Sequence, residues 1–161
     1  MQRFLAPVLL TFGLLAGAVL VAAWASAGVN GDVYWSVSPH GGSADHGRIA
    51  HAALDGSGVS GPFISGTTGG AGVALDSRYV YRSNYEVNGT IGRANRDGSG
   101  VTQHFITGAE FPVGMAVDSR HIYWTTYDHI GRANLDGSHV NERFITVEGA
   151  VGLAVDGRYV Y

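Results

Sequence analysis

Hydrophobic residues in this chain fall into short runs. One long apolar stretch occupies 4–23. Beyond it the runs are brief, rich in β-branched and aromatic side chains, and mostly closed by Asp-Gly or Asp-Ser pairs. That is the pattern of strands and tight turns. Apolar residues do not recur at helical spacing anywhere after residue 27. Four kinds of run follow one another in order. The first, A, is small and apolar, at 72–75, 114–117 and 152–155. The second, B, carries the aromatics, at 33–36, 79–82, 121–125 and 159–161. The third, C, lies at 48–54, 91–95 and 130–135. The fourth, D, lies at 62–65, 103–107 and 142–146. The A–B links are Asp-Ser-Arg or Asp-Gly-Arg and the C–D links are Asp-Gly-Ser. Asp can bond the following backbone and Gly can take a positive φ, so both suit tight turns.

These runs belong to a repeat. Residues 91–108 and 130–147 are identical at 12 of 18 positions, and 49–66 is a weaker copy. Asp55 and Asp97 are 42 residues apart, and Asp97 and Asp136 are 39 apart. A period near forty fits either a four-stranded propeller blade or a pair of HEAT helices. Glycine decides between them. At 25 of 161 residues it is too abundant, and strong helix formers too sparse, for a helical solenoid. The expected fold is all-β, built of propeller blades of four antiparallel strands. About three blades are present, and the predicted strands read B-C-D, A-B-C-D, A-B-C-D, A-B.

The residues that carry a family resemblance are Tyr123-Trp124-Thr125-Thr126, Ile130-Gly131-Arg132-Ala133-Asn134-Leu135-Asp136-Gly137 and Gly152-Leu153-Ala154-Val155-Asp156. Over 31–161 the chain resembles the low-density-lipoprotein-receptor class B repeat, the YWTD-type repeat that builds six-bladed β-propellers. The resemblance implies a binding role, since these repeats mostly bind proteins. The fourth motif residue departs from the pattern: Thr126 stands where an aspartate is expected, and Asn84 and Val37 stand there in the other copies. The chain also holds only about half of six blades. A truncated piece of a longer propeller, and two chains closing one ring through unpaired blade edges, are both open readings.

The N-terminus is a separate element. Arg3, the apolar run and Ala25-Ser26-Ala27 make a secretory signal peptide of residues 1–27, leaving 28–161 as the repeat domain. The alternative is an uncleaved membrane anchor, because the run is long enough to span a bilayer. Either places the repeats outside the cytosol. The chain has no cysteine, so no disulfide framework reinforces it. Net charge is −3 and no basic stripe exists, which argues against nucleic acid as a partner.

Repetition sorts the candidate chemistry. Residues present in every copy, such as Arg93, Arg132 and the turn aspartates, read as structural. Residues that break the repeat fall on the B–C loops and the interblade D–A links, which an antiparallel meander places on one face. From these come the candidate ligand-binding residues Tyr85, Glu86, Glu110, Phe111, Tyr127, Asp128 and Glu148. Aromatic and acidic side chains on irregular loops of a rigid scaffold suit a protein or carbohydrate ligand. Trp124 is expected to pack between blades. His40, Asp45 and His46 lack the spacing of a zinc motif, so no metal and no cofactor are expected. Asn88-Gly89-Thr90 matches a glycosylation sequon but reads better as a hairpin turn. No catalytic residue is assigned. The expectation is a non-catalytic, secreted binding or scaffold module. The alternatives are a propeller lyase or lactonase, or a non-functional gene remnant. Propeller enzymes of that kind gather His, Asp or Glu near the axis. The A runs here offer only Gly, Ala, Val, Leu and Met before Asp76, Asp118 and Asp156.

Overall fold

The computed structural model describes residues 26–27, 31–37, 47–67, 69 and 72–161. The described residues are all-β, in three antiparallel sheets of four strands each. The first holds β1 (Ser26–Ala27), β2 (Asp32–Val37), β3 (Gly47–Ala53) and β4 (Ile64–Thr67). The second holds β5 (Val73–Leu75), β6 (Tyr79–Asn84), β7 (Thr90–Asn95) and β8 (Thr102–Thr107). The third holds β9 (Met115–Val117), β10 (His121–Thr125), β11 (His129–Asn134) and β12 (Asn141–Thr146). In each sheet the strands pair in chain order, and along one edge β1 contacts β5 and β5 contacts β9. This is the arrangement of β-propeller blades around an axis. After β12, a bridge between Val155 and Val160 begins another A–B hairpin.

One strand differs from expectation. The sequence pattern offers no strand A for the first blade. Ser26–Ala27, within the segment read as a signal peptide, instead pairs with β2 through Ser26↔Tyr34 and Ala27↔Val33. Two residues suffice because the A strand is the shortest element of every blade. The rest of that segment, together with His40, Asp45 and His46, lies outside the described residues.

Burial follows from stacking. The middle strands β6 and β10 are buried on both faces, whereas the edge strand β12 is largely exposed. One core joins the first two blades through Tyr34, Ile49, Ile64, Val73, Val80 and Ala94. A second joins the next pair, with Tyr81, Ile91 and Ile106 facing Met115, Ile122 and Trp124. Trp124 is fully buried between blades, as expected, and lies flat over Gly131, where a Cβ would collide with its indole. In the second blade Arg82 takes the place of Trp124 and lies over Gly92. Both glycines sit where the C–D register shifts, between Ile91 and Arg93 and between Ile130 and Arg132.

A hydroxyl joins the second blade to the third, and the third to the segment after it. Thr125 Oγ1 accepts from the Gly114 N–H at 2.8 Å and donates to the Val151 carbonyl at 3.2 Å. Ser83 Oγ repeats this with the Gly72 N–H at 2.7 Å and the Val113 carbonyl at 2.9 Å. The same two carbonyls explain the glycines: a Cβ at Gly72 would strike Val113 O, and one at Gly114 would strike Val151 O. The third position of the Tyr-Trp-Thr-Thr motif is thus an interblade clasp. The fourth position, which lacks the motif aspartate, is tied differently in each blade. Asn84 Nδ2 donates to Thr90 Oγ1 at 2.7 Å and to the Gln103 carbonyl at 3.0 Å. Thr126 Oγ1 donates to the His129 carbonyl at 3.1 Å.

Candidate functional site

The blades have two ends, and backbone bonds hold each together. At one end an A–B turn bonds a C–D turn, through the Arg96 N–H to Arg78 O and the Leu135 N–H to Arg120 O, both 3.1 Å. At the other end a B–C loop bonds the following link, through the Phe111 N–H to Glu86 O at 3.2 Å and the Gly149 N–H to Tyr127 O at 2.8 Å. The irregular loops therefore share one end, as the meander argument requires.

At that end the second blade brings four of the seven candidate residues together. The rings of Tyr85 and Phe111 meet at 5.2 Å between centroids, tilted by 53°. Both are exposed, 49% and 39% respectively. Glu86 and Glu110 flank them in sequence, and Glu110 is exposed. Phe111 has a φ of 47°, a left-handed conformation that is rare for a bulky side chain. The third blade supplies the other three. Tyr127 is 82% exposed and Glu148 is exposed. Asp128 is already engaged: its carboxylate lies 2.5 Å from His129 Nδ1 and 3.0 Å from Arg143 Nη2. The His129 hydrogen bond, opposed by burial and supported by Arg143, holds that carboxyl below its ordinary range. Asn88, in the sequon, has a φ of 57°, and the Thr90 hydroxyl donates to the Gln103 carbonyl at 3.1 Å, so the segment is a built turn.

The opposite end is regular. Asp76 Oδ1 accepts from the Arg78 and Tyr79 N–H groups at 2.6 and 2.7 Å, and its Oδ2 accepts from the Tyr81 hydroxyl at 2.8 Å. Asp118 does the same with Arg120, His121 and Tyr123, and Asp156 with Arg158, Tyr159 and Tyr161. Burial alone would raise Asp118, but these donors outweigh it and keep its carboxyl below the ordinary value. Arg93 lies over the rings of Tyr79 at 4.3 Å and Phe105 at 3.9 Å, and Arg132 over Phe144 at 4.0 Å. The repeated arginines and aspartates are structural, as their repetition suggests.

Sequence reasoning missed two features. One is an open cleft of about 770 Å³ between the second and third blades, at the turn end, lined by Asp76, Arg78, Tyr79, Arg93 and Asp118 among others. Every lining residue is a repeat residue, so a filter that seeks departures from the repeat passes over it. The other is Arg82, 1% exposed, with its Nη2 bonded to Gln103 Oε1 and its Nη1 without a partner. Burial lowers this guanidinium to a pKa of about 10. The signal was present, since Arg82 stands where Trp35 and Trp124 stand in the other copies, but it lies on a strand rather than a loop. Among the described residues no group of three or more His, Asp or Glu side chains is placed to hold a metal ion.

Comparison with solved structures agrees with the fold. A chain of the nidogen/laminin complex superposes with a TM-score of 0.67 at 24% identity, over 82% of this chain and 51% of that one. A gluconolactonase from Xanthomonas campestris gives 0.64 at 18%, over 89% and 54%. A PQQ-bound aldose sugar dehydrogenase from Streptomyces coelicolor gives 0.62 at 14%, over 81% and 51%. The chain thus spans about half the length of the solved structures it matches. No family model matches it, and no curated protein matches it. At these identities the likeness establishes a propeller architecture and nothing narrower.

Proposed function

We propose that this chain is a non-catalytic, extracytoplasmic binding module of the YWTD type that engages its ligand with the loop end of the blades. The observation that carries the reading is the display of exposed aromatic rings, Tyr85 against Phe111 and Tyr127 alone, on loops that backbone bonds fasten to clasped sheets. Large rings held at low conformational cost are effective contact residues. The N-terminal charge and apolar run support export. The test uses labelled chain on an oligosaccharide array and a peptide array. Binding by the native chain should be lost in the Tyr85→Ala/Tyr127→Ala variant, while Ser99→Ala/Ser138→Ala at the turn end leaves it intact. The reading falls if the turn substitutions abolish binding and the loop substitutions do not. It also falls if the purified chain hydrolyses gluconolactone or oxidises aldoses with turnover, activities named for two of the structural neighbours.

A further inference from the structure

We propose that the Tyr85–Phe111 pair is a seat for a basic side chain, arginine or lysine, of a protein partner. This rests on the loop-end reading above and narrows it to one ligand chemistry. Three observations converge. First, the two rings touch at 5.2 Å, and each keeps a large part of its surface in solvent. An exposed aromatic face attracts a cation through its quadrupole. Second, each ring stands next to a carboxylate in the chain, Tyr85 before Glu86 and Phe111 after Glu110, and the Phe111 N–H bonds the Glu86 carbonyl. Glutamates beside rings give a cation both an aromatic face and a counter-charge. A neutral sugar needs no such surplus of acid. Third, the two ends differ in charge balance. At the turn end Arg78, Arg96, Arg120 and Arg158 are offset by the turn aspartates Asp76, Asp97, Asp118, Asp136 and Asp156. Near the loop end stand Arg48, on the first blade, and Arg143, already paired with Asp128. Among the described residues the loop end therefore presents the exposed carboxylates Glu110 and Glu148.

Phe111 sharpens the argument. A left-handed φ of 47° is strained for a bulky residue. Nothing in the interblade cores depends on its side chain. A glycine would satisfy that backbone more easily, yet the chain keeps a ring there and keeps it exposed. The strain serves display rather than packing.

The experiment is fluorescence anisotropy of the native chain with three labelled probes, hexa-arginine, hexa-lysine and hexa-glutamate, at low and at moderate salt. Both basic peptides should bind, hexa-arginine the more tightly, with affinity falling as salt rises. Phe111→Gly should weaken hexa-arginine by roughly tenfold, the size expected for losing a partly desolvated cation–π contact. That variant suits the left-handed backbone, so its unfolding midpoint should hold or rise, which separates lost binding from lost folding. Glu110→Gln should weaken binding by severalfold and flatten the salt dependence. The proposal is overturned if hexa-glutamate binds as well as hexa-arginine, if no basic peptide binds, or if Phe111→Gly leaves hexa-arginine affinity unchanged. If neutral oligosaccharides bind instead and Tyr85→Ala/Tyr127→Ala abolishes that binding, the loop-end reading stands and the basic partner is overturned. If only the turn substitutions matter, both fall.

Discussion

Thr125→Val tests the interblade clasp with little change of shape. Thr125 is fully buried, and its hydroxyl both accepts from Gly114 and donates to Val151 O. Valine keeps the branched outline and deletes the oxygen. Two neutral hydrogen bonds contribute roughly 1 kcal/mol each, and a buried N–H left without an acceptor adds to the loss, since its desolvation is no longer offset. The expected cost is about 2–3 kcal/mol. For a domain of this size that corresponds to a fall in the unfolding midpoint of roughly 10 °C. Urea titration followed by far-UV circular dichroism measures it, with Thr125→Ser as the control that restores the oxygen and loses only a methyl. The serine at the same place in the preceding blade, Ser83, makes the same two bonds, so Ser83→Ala should cost a comparable amount. If Thr125→Val loses less than about 0.5 kcal/mol, the hydroxyl does not hold the blades together and the account of the motif's third position is wrong.

Three other outcomes are expected. Trp124→Ala should destabilise by about 3–5 kcal/mol in the same assay, because a fully buried indole bridging two blades leaves a cavity over Gly131. Gln103→Glu should stabilise the chain near neutral pH by giving the buried Arg82 guanidinium a carboxylate, and thermal melts should show that gain disappear as the new acid is protonated. Glu142 is raised above its ordinary value, by burial first, with His129 and Trp124 acting in the opposite direction. A carboxyl raised on folding favours the protonated form, so its contribution is present below the unfolded pKa of 4.5 and is lost as pH rises through the folded value. Glu142→Gln should therefore remove a decline in stability that begins near pH 4.5, and should leave the stability below that pH almost unchanged.

Most of the architecture was legible because the repeat states it several times. Asp-Gly-Ser and Asp-Ser-Arg mark turns in every copy, and the runs between them have the length of strands. The two-residue β1 was not legible, because Ser26-Ala27 has neither the glycine nor the terminal aspartate of the other A strands and lies at the end of an apolar leader-like stretch. The division into two ends followed from counting antiparallel strands, and so the grouping of Tyr85 with Phe111's link was foreseeable. Their ring contact, and the left-handed backbone that presents Phe111, depend on loop geometry that no local pattern encodes. Asp128 illustrates the limit from the other side. In sequence it is one more acidic loop residue. In the fold it is bound to His129 and Arg143, the latter on a strand fifteen residues further on.

The clasp makes curvature a local property. Ser83 and Thr125 each tie their own sheet to the next, using a glycine behind and a carbonyl ahead, beside the apolar core packed at the same joint. A stack assembled in this way behaves as a chain of identical hinges, with stability that grows one joint at a time. The bend of the whole arc is then the sum of its joints. A duplication that copies a blade with its hydroxyl and its glycine copies the instruction for turning as well, so the gene could have lengthened by whole blades without any central plan for the ring.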